Sequence, residues 1–321
     1  MSIYQSKSAI LFIIFNRSDT ALKVLAQIKL AQPKRLYILA DGPRINRDGE
    51  DLRCRETREA VVNAIDWECE VKTLFNAANL GPKEAITSGI TWFFEHEEEG
   101  IILEHDCLPA NSFFSFCDSL LEKYRYDKRI WLISGCNFQK GTQWGDASYY
   151  FSNLTNAWGW ATWRRSWEEY DKDLIKYESS EIKEQLEKVF PEPLIVEKWL
   201  EIFDLTKSGK INTWDYQVAF AQLSGHALNI VPNKNLVSNI GFGELAENTT
   251  DADSVFANVP LGEITSITHP KYILPKYKAD MSILMDEFRI TQKIAFLKKH
   301  NSFRRRFKRW FSRSLPGHKP L

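Results

Sequence analysis

The feature of this sequence that most constrains its fold is an alternation of short apolar runs and helical patterns. Apolar runs at residues 9–15, 35–40 and 101–104 have the length of strands, and a further strand is expected near 70–75. Between them, apolar residues recur at helical spacing. Strands that alternate with helices form parallel sheets with right-handed crossovers. The sequence therefore predicts an α/β fold in which helices flank a sheet.

This alternation favours a Rossmann-like half that binds a nucleotide. The sequence contains neither a Gly-x-Gly-x-x-Gly fingerprint nor a Walker sequence, so dinucleotide and P-loop binding have little support. Basic and acidic residues both number 42, and this balance gives no reason to expect nucleic acid as a partner. With 321 residues, the chain is long enough for one large domain or for a domain with an appendage.

Two stretches rich in charge stand apart from the apolar runs. We expect residues 44–56 to form a charged loop and residues 181–200 to be helical. The five cysteines are scattered and form no C-x-x-C pair, which supports neither a zinc cage nor a disulfide framework and fits a reducing cytosol. The apolar run at 9–15 is too short to span a membrane, so we interpret it as a strand rather than a signal peptide.

The tail of the chain is strongly basic. After Glu287 there is no acidic side chain, while cations and aromatic residues accumulate between residues 290 and 313. This is the composition of an interfacial helix, and it predicts a peripheral anchor on an anionic membrane surface. A solvated or oligomer-contacting tail is the alternative.

Two carboxylates, Glu104 and Asp106, directly follow the apolar run at 101–103. A buried strand that ends in acids places hard oxygen ligands at the carboxyl edge of a sheet, where α/β folds bind ligands. That arrangement suits a divalent cation that carries a phosphate. The alternative is a surface turn with a helix-capping acid.

Tryptophans are dense between residues 136 and 167, where they are interspersed with glycines and asparagines. One interpretation is a loop surface on which sugar rings stack. The other is a tryptophan-rich core. The five residues are Trp144, Trp158, Trp160, Trp163 and Trp167.

Taken together, six short motifs resemble those of GT-A-fold glycosyltransferases. The similarity is to bacterial HlpA-like sugar transferases and, more distantly, to N-acetylglucosaminyltransferase I. Most of residues 9–245 is covered. The motifs are Phe15-Asn16-Arg17, Ala40-Asp41-Gly42-Pro43, Asn79-Leu80-Gly81-Pro82-Lys83, Ile102-Leu103-Glu104-His105-Asp106, Trp158-Gly159-Trp160-Ala161-Thr162-Trp163 and Trp214-Asp215.

The resemblance implies a GT-A fold, a Rossmann-like mixed sheet flanked by helices. We expect a catalytic domain over residues 1–275, with a nucleotide-binding half to about residue 135 and an acceptor half over 136–275. Residues 276–321 would form a basic, amphipathic, helical C-terminal extension.

The resemblance also implies Mn²⁺ or Mg²⁺ as the cofactor. Asp106 would bind the metal, and Glu104 would help to hold the ribose or the water shell of the metal. The middle position of the motif is His105 here, where the family has an acid. His105 is either a plain substitution or an additional polar contact.

Other site residues follow from the same resemblance. Asp41 would receive a hydrogen bond from the uracil or ribose, and its alternative role is a turn-forming Asp-Gly. Loop residues at the same edge are expected to meet the base and phosphates, although a solvated cap is the alternative for Arg17. These residues are Asn16, Arg17 and Lys83. The acceptor or sugar loop would contain Trp158, Gly159 and Trp160.

For catalysis, an inverting transferase must remove the proton of the acceptor hydroxyl. Asp215 matches the Trp-Asp element that supplies this base in the similar enzymes, and its alternative role is a helix N-terminal acid stabilised by the dipole. His226 and His269 are candidates for a third metal ligand or a phosphate contact, with an ordinary polar role as the alternative.

We therefore hypothesise a metal-dependent, inverting glycosyltransferase that moves a sugar from a UDP-linked donor to a glycan or glycolipid acceptor in bacterial polysaccharide or glycoconjugate assembly. Its expected location is the cytoplasm, peripheral to the inner face of the membrane. One rival is a sugar-1-phosphate nucleotidyltransferase, which would normally carry a glycine-rich phosphate loop after the first strand. The other is a non-catalytic carbohydrate-binding protein, which would not need the two carboxylates.

Overall fold

The first hundred residues alternate strands and helices in the computed structural model, as the apolar pattern predicts. The structure describes residues 4–243, 256–288, 290 and 292–293. The elements of this part are β1 (Ala9–Ile14), α1 (Ser18–Ala31), β2 (Arg35–Ala40), α2 (Glu50–Asn63), β3 (Glu70–Phe75), α3 (Gly81–His96) and β4 (Glu99–Glu104).

The second part of the chain is less regular, and its strands are shorter. The elements are β5 (Cys107–Pro109), α4 (Asn111–Tyr124), β6 (Ile130–Ser134), β7 (Tyr149–Ser152), β8 (Trp160–Trp163), α5 (Arg164–Trp167), α6 (Ser179–Val189), α7 (Pro193–Lys207), α8 (Asp215–Ser224), β9 (Leu228–Pro232), β10 (Val237–Asn239) and α9 (Tyr277–Glu287). The charged stretch at 181–200 is helical, as predicted, but it is divided between α6 and α7.

Eight strands form one mixed sheet in the order β3-β2-β1-β4-β8-β6-β9-β7, and β5 pairs with β10 separately. The strands β3, β2, β1 and β4 are parallel to one another, whereas β8 is antiparallel to both of its neighbours. The expected α/β class, a Rossmann-like mixed sheet flanked by helices, is confirmed.

The sheet is buried on both faces except at its edge strand β3, which is largely exposed. All six residues of β1 are buried: Ile10, Phe12 and Ile14 pack on one face, and Leu11 and Ile13 on the other. A strand buried on both faces is continuously apolar rather than alternating, which explains the apolar run in the sequence. A separate apolar cluster joins α6, α7, α8 and α9.

The expectation of a charged loop over residues 44–56 is partly wrong, since α2 already begins at Glu50. Gly49 adopts a left-handed conformation with φ 70° immediately before the helix. The Glu50 side chain is buried and accepts hydrogen bonds from the main chain and guanidinium of Arg44. This internal ion pair allows a charged sequence to fold against the body of the protein, and it has no signature in apolar spacing.

The tryptophan-rich stretch contributes mainly to the core rather than to an exposed loop. Trp160, Trp163 and Trp167 are buried, and Trp160 stacks on Trp214 with ring centroids 5.8 Å apart. The Trp163 indole N–H donates to the carbonyl of Leu121 at 3.2 Å. The core interpretation therefore holds for these three tryptophans, because β8 inserts this segment between β4 and β6.

At the C-terminal end, α9 packs against the sheet. The Asp280 carboxylate accepts hydrogen bonds from the Ser152 hydroxyl at 2.6 Å and from the Asn153 main chain at 2.9 Å. Most of the predicted membrane-binding tail, residues 290–313, lies outside the described residues, so that prediction and the domain boundary at residue 275 stay predictions. In the described part of the chain, no helix is sufficiently long and apolar to cross a membrane.

Candidate functional site

A cavity of about 680 Å³ lies at the carboxyl edge of the parallel strands. Its volume falls in the range of small-molecule sites. The residues that follow β1, β2 and β4 line it together because parallel strands end at the same edge. These lining residues are Asn16, Arg17, Asp41, Arg44, Glu104, His105 and Asp106.

The opposite wall of the cavity comes from the second half of the chain. A loop between β7 and β8 contributes part of it, and the beginning of α8 contributes another part. The helices α7 and α9 complete the wall with apolar side chains and one acid. The lining residues from these segments include Asn156, Trp158, Trp199, Thr213, Asp215, Ile283, Leu284 and Glu287.

Three carboxylates, those of Glu104, Asp106 and Asp215, belong to this one cavity. Burial, together with the negative charges of Asp106 and Asp215, raises the pKa of Glu104 to about 8. Among the described residues, no lysine or arginine forms an ion pair with any of the three. The described part of the cavity therefore brings three carboxylates together without pairing any of them with a cation, although Arg17 and Arg44 line the same cavity.

Asp215 is the first residue of α8 and has an exposed side chain. Its Oδ1 accepts hydrogen bonds from the Thr213 hydroxyl and, at 3.0 Å, from the main chain of Tyr216. Its Oδ2 has no hydrogen-bond partner among the described residues. Asp215 is therefore both an acid at a helix N-terminus and a cavity residue with one oxygen left to interact.

Asp41 supports the shape of the site from within. Its carboxylate accepts hydrogen bonds from five residues at 2.9–3.1 Å and so joins the end of β2 to the start of α3. A carboxylate has about four lone-pair sites, and these donors fill them. The alternative role of Asp41 in a turn therefore fits the structure, and its predicted contact with uracil or ribose stays a prediction. The donors are the amides of Asn76 and Asn79 and the main chains of Gly42, Leu80 and Gly81.

Asn16 and Arg17 are placed at the cavity, as predicted, and each is held by a distant residue. The Asn16 amide donates to Glu50 at 3.0 Å, and Arg17 Nη1 donates to the carbonyl of Gly241 at 2.8 Å. The Arg17 Nε is buried and has no hydrogen-bond partner within the part of the chain that the structure describes. The hydrogen bond from the Arg44 side chain lowers the pKa of Glu50, which keeps this buried acid ionised beneath the site.

Other predicted site residues lie away from the cavity. The Lys83 ammonium is 3.1 Å from the Asp173 carboxylate and is not part of the lining, which corrects its expected position. Trp160 is buried in the core, so the expected sugar-stacking role does not fit it. Gly159 has φ 63° and packs on Val237, and its carbonyl accepts from the main chain of Gly135.

Trp158 is the one member of the predicted acceptor loop that does line the cavity. It makes edge contacts with Phe138 and Phe242.

Neither candidate histidine is at the cavity. His226 contacts the Gln185 amide at 2.6 Å, and His269 contacts the Tyr149 hydroxyl at 3.0 Å, which fits their alternative role as ordinary polar residues.

Sequence reasoning missed several lining residues of the second half. Asn156 is only 9% exposed, and no described residue forms a hydrogen bond with its Nδ2. The Trp199 indole N–H is likewise buried without a partner in the described ranges. Glu287, an acid of α9, lines the same wall as Asp215. Isolated residues of this kind belong to no motif, so no sequence pattern indicates them.

The oxygen ligands that the site offers are too few to hold a divalent cation alone, but they suit a cation that is also bound by phosphates and water. Among the described residues, no cluster of three or more histidine, cysteine, aspartate or glutamate side chains is placed to hold a metal. Mg²⁺ is commonly bound by one or two carboxylates together with substrate phosphates and water. Glu104 and Asp106 supply hard oxygen donors of that kind and number.

No protein-family model and no curated protein matches the sequence. Among solved structures, UDP-glucose pyrophosphorylase complexed with UDP-glucose has 12% identity and a TM-score of 0.37, covering 70% of this chain and 89% of that chain. Apo mouse xyloside xylosyltransferase 1 has 11% identity and a TM-score of 0.33, covering 68% and 81%. A cytidylyltransferase from Leptospira borgpetersenii has 14% identity and a TM-score of 0.32, covering 54% and 66%. These identities are low, and membership of one particular glycosyltransferase family stays a prediction.

Proposed function

We propose that this protein is a metal-dependent, inverting glycosyltransferase that moves a sugar from a UDP-linked donor to a glycan acceptor. The observation that carries the proposal is the meeting of three carboxylates in one cavity at the carboxyl edge of a parallel sheet. Glu104 and Asp106 lie at the end of one strand, β4, and Asp215 comes from the opposite wall. This division suits a reaction with two partners.

The donor side of the cavity belongs to the first half of the sheet. The Arg17 guanidinium lies beside the carboxyl ends of the strands, where a cation favours an anionic diphosphate. Glu104 and Asp106 would hold the metal, and a bound Mn²⁺ or Mg²⁺ would neutralise charge on the departing diphosphate. The Trp158 side chain offers an apolar face beside them.

The acceptor side contains Asp215, which we assign as the general base. The Thr213 hydroxyl and the Tyr216 main chain fix its Oδ1, so its Oδ2 is the oxygen that takes the proton. As Oδ2 accepts that proton, the acceptor oxygen forms a bond to the anomeric carbon of the donor. The bond from that carbon to the diphosphate breaks, and its electron pair leaves with UDP. Attack from the face opposite UDP inverts the anomeric configuration.

The link from β1 to α1 favours glycosyl transfer over nucleotidyl transfer. Only the three residues Phe15, Asn16 and Arg17 join these elements, and none of them is glycine. A nucleotidyltransferase needs a loop whose main-chain N–H groups surround a triphosphate, and glycine permits that approach. This short, side-chain-rich link instead presents an amide and a guanidinium.

Product analysis tests the proposal. With Mn²⁺, UDP-sugars and a panel of glycan acceptors, we expect release of UDP and an acceptor glycoside of inverted configuration by NMR. A parallel reaction with UTP and sugar-1-phosphates should release no pyrophosphate. Pyrophosphate release without UDP release would establish the nucleotidyltransferase alternative. Binding of sugars without metal-dependent binding of UDP would support the non-catalytic alternative.

A further inference from the structure

The Asp106 carboxylate is packed against the main chain of a distant segment. Gly241 follows β10, and a Cβ added there would lie 2.2 Å from Asp106 Oδ2 and 2.7 Å from Asp106 Cβ. Real Cβ atoms do not approach other atoms so closely. Gly241 does not have the positive φ that favours glycine, so its requirement is steric rather than conformational.

Several hydrogen bonds fix the segment in this position. The Ile240 N–H donates to the Asp106 carbonyl at 2.8 Å, which extends the antiparallel pairing of β10 with β5. The Gly241 N–H donates to Asn239 Oδ1 at 2.8 Å, and the Gly241 carbonyl accepts from Arg17. The segment cannot move away from Asp106 without breaking the bonds from Ile240 to Asp106 and from Arg17 to Gly241, while the bond to Asn239 holds the local main-chain conformation.

We propose that Gly241 is a positioning residue that sets the place of the Asp106 carboxylate for metal binding. The inference rests on the proposed function, because it concerns the metal-binding role of Asp106. The Gly241 carbonyl also accepts a hydrogen bond from Arg17. A single main-chain segment therefore contacts both the Asp106 carboxylate and the Arg17 guanidinium, the two groups that would face the diphosphate. Residues that orient a metal ligand typically affect metal affinity by about 10–100-fold when they are substituted.

The test is a Gly241→Ala substitution in the full chain, with Mn²⁺ and UDP as probes. We measure by calorimetry the Mn²⁺ concentration that gives half-maximal UDP binding, and we measure UDP affinity without metal. The added methyl should displace the carboxylate, so the required Mn²⁺ concentration should rise by about tenfold. UDP affinity without metal should fall by less than UDP affinity with Mn²⁺, because the methyl group contacts Asp106 and the Gly241 carbonyl still accepts from Arg17. As a matched control, Gly262→Ala meets chiefly the Lys234 side chain, at 3.1 Å, and should behave as the unmodified protein.

A normal Mn²⁺ requirement in the Gly241→Ala protein would overturn the positioning role alone. An equal loss of UDP affinity with and without metal would also overturn it, because that result indicates general damage to the cavity. If this variant does not fold, Asn239→Ala decides the question, since it removes the acceptor of the Gly241 N–H and should raise the Mn²⁺ requirement by a smaller factor. If the unmodified protein binds UDP without any metal dependence, the proposed function fails together with the inference.

Discussion

The two halves of the sheet contribute to the cavity in different ways. In the first half, β3, β2, β1 and β4 run parallel, so the residues that follow the strands meet at one edge. In the second half, strand directions are mixed, and the lining comes from a loop and from α7, α8 and α9. A parallel sheet thus gathers polar residues through its regular topology, whereas the opposite wall depends on how separate helices pack.

The halves also differ in charge. The lysine and arginine side chains that line the described cavity are Arg17 and Arg44, and both belong to the first half. In the described lining, the second half contributes acids alone, Asp215 and Glu287, whereas the first half adds Asp41, Glu104 and Asp106 to its two arginines. Cations suit a diphosphate, whereas carboxylates accept hydrogen bonds from hydroxyl groups. Substitutions on the opposite wall, which comes from the second half of the chain, should therefore change the binding of the UDP-sugar little.

The largest expected effect is that of Asp215→Asn. Asparagine preserves size but cannot take the acceptor proton, so transfer should slow by about 10²–10⁴-fold. UDP-sugar binding should change little, because Asp215 belongs to the opposite wall. Initial rates of UDP release and calorimetric affinities measure the two quantities.

The matched control for this substitution is Asp51→Asn, which changes an exposed acid in the first turn of α2, away from the cavity lining. It should transfer sugar at the normal rate. Near-normal transfer by the Asp215→Asn protein, or a product of retained configuration, would remove Asp215 from the mechanism.

A smaller effect is expected for Asp280→Asn, which changes the pH dependence of the free energy of unfolding. Asp280 joins α9 to the end of β7. Burial raises the pKa of Asp280 from 3.8 to about 6, although hydrogen bonds from Ser152 and Asn153 oppose the shift. A raised pKa in the folded state means that protonated Asp280 stabilises the fold below about pH 4, and this stabilisation is lost as pH rises through about 6. The free energy of unfolding, relative to that of Asp280→Asn, should therefore fall by about 3 kcal/mol between about pH 4 and pH 7.

Urea unfolding at several pH values measures this difference. Taking the difference between the two proteins removes the pH dependence of all other groups. The control Asp286→Asn changes an exposed acid on the same helix and should alter the free energy of unfolding by only about 0.5 kcal/mol or less. A pH-independent difference between the unmodified protein and Asp280→Asn would show that Asp280 titrates alike in the folded and unfolded chains.

The smallest expected effect is that of Thr213→Val, which removes the hydroxyl bonded to Asp215 Oδ1. A hydrogen bond to a charged group contributes about 1.5 kcal/mol, and exposure to water reduces this contribution. We expect kcat to fall by about threefold to tenfold, with UDP-sugar affinity and thermal stability unchanged. An unchanged kcat would indicate that Thr213 does not orient the base.

The sequence predicted the first half well because its signals are local. The four expected strands coincide with β1 to β4, and the polar residues that follow them reach the cavity as topology requires. The sequence could not predict contacts between distant positions, such as that of Arg17 with Gly241, 224 residues away. Nor could it decide whether Trp160 is buried, because an aromatic residue suits both a core and a sugar-binding surface. The position of Glu287 in the cavity wall likewise depends on how α9 packs.

The central claim is that the acids at the end of β4 bind a divalent cation that carries UDP. Its most direct test is calorimetry of UDP binding with and without Mn²⁺. Mn²⁺ should strengthen UDP binding to the unmodified protein. Asp106→Asn should lower the affinity with Mn²⁺ by at least about tenfold while its thermal unfolding stays cooperative. Equal UDP affinities of the two proteins in Mn²⁺, or no effect of Mn²⁺ on either, would contradict the claim.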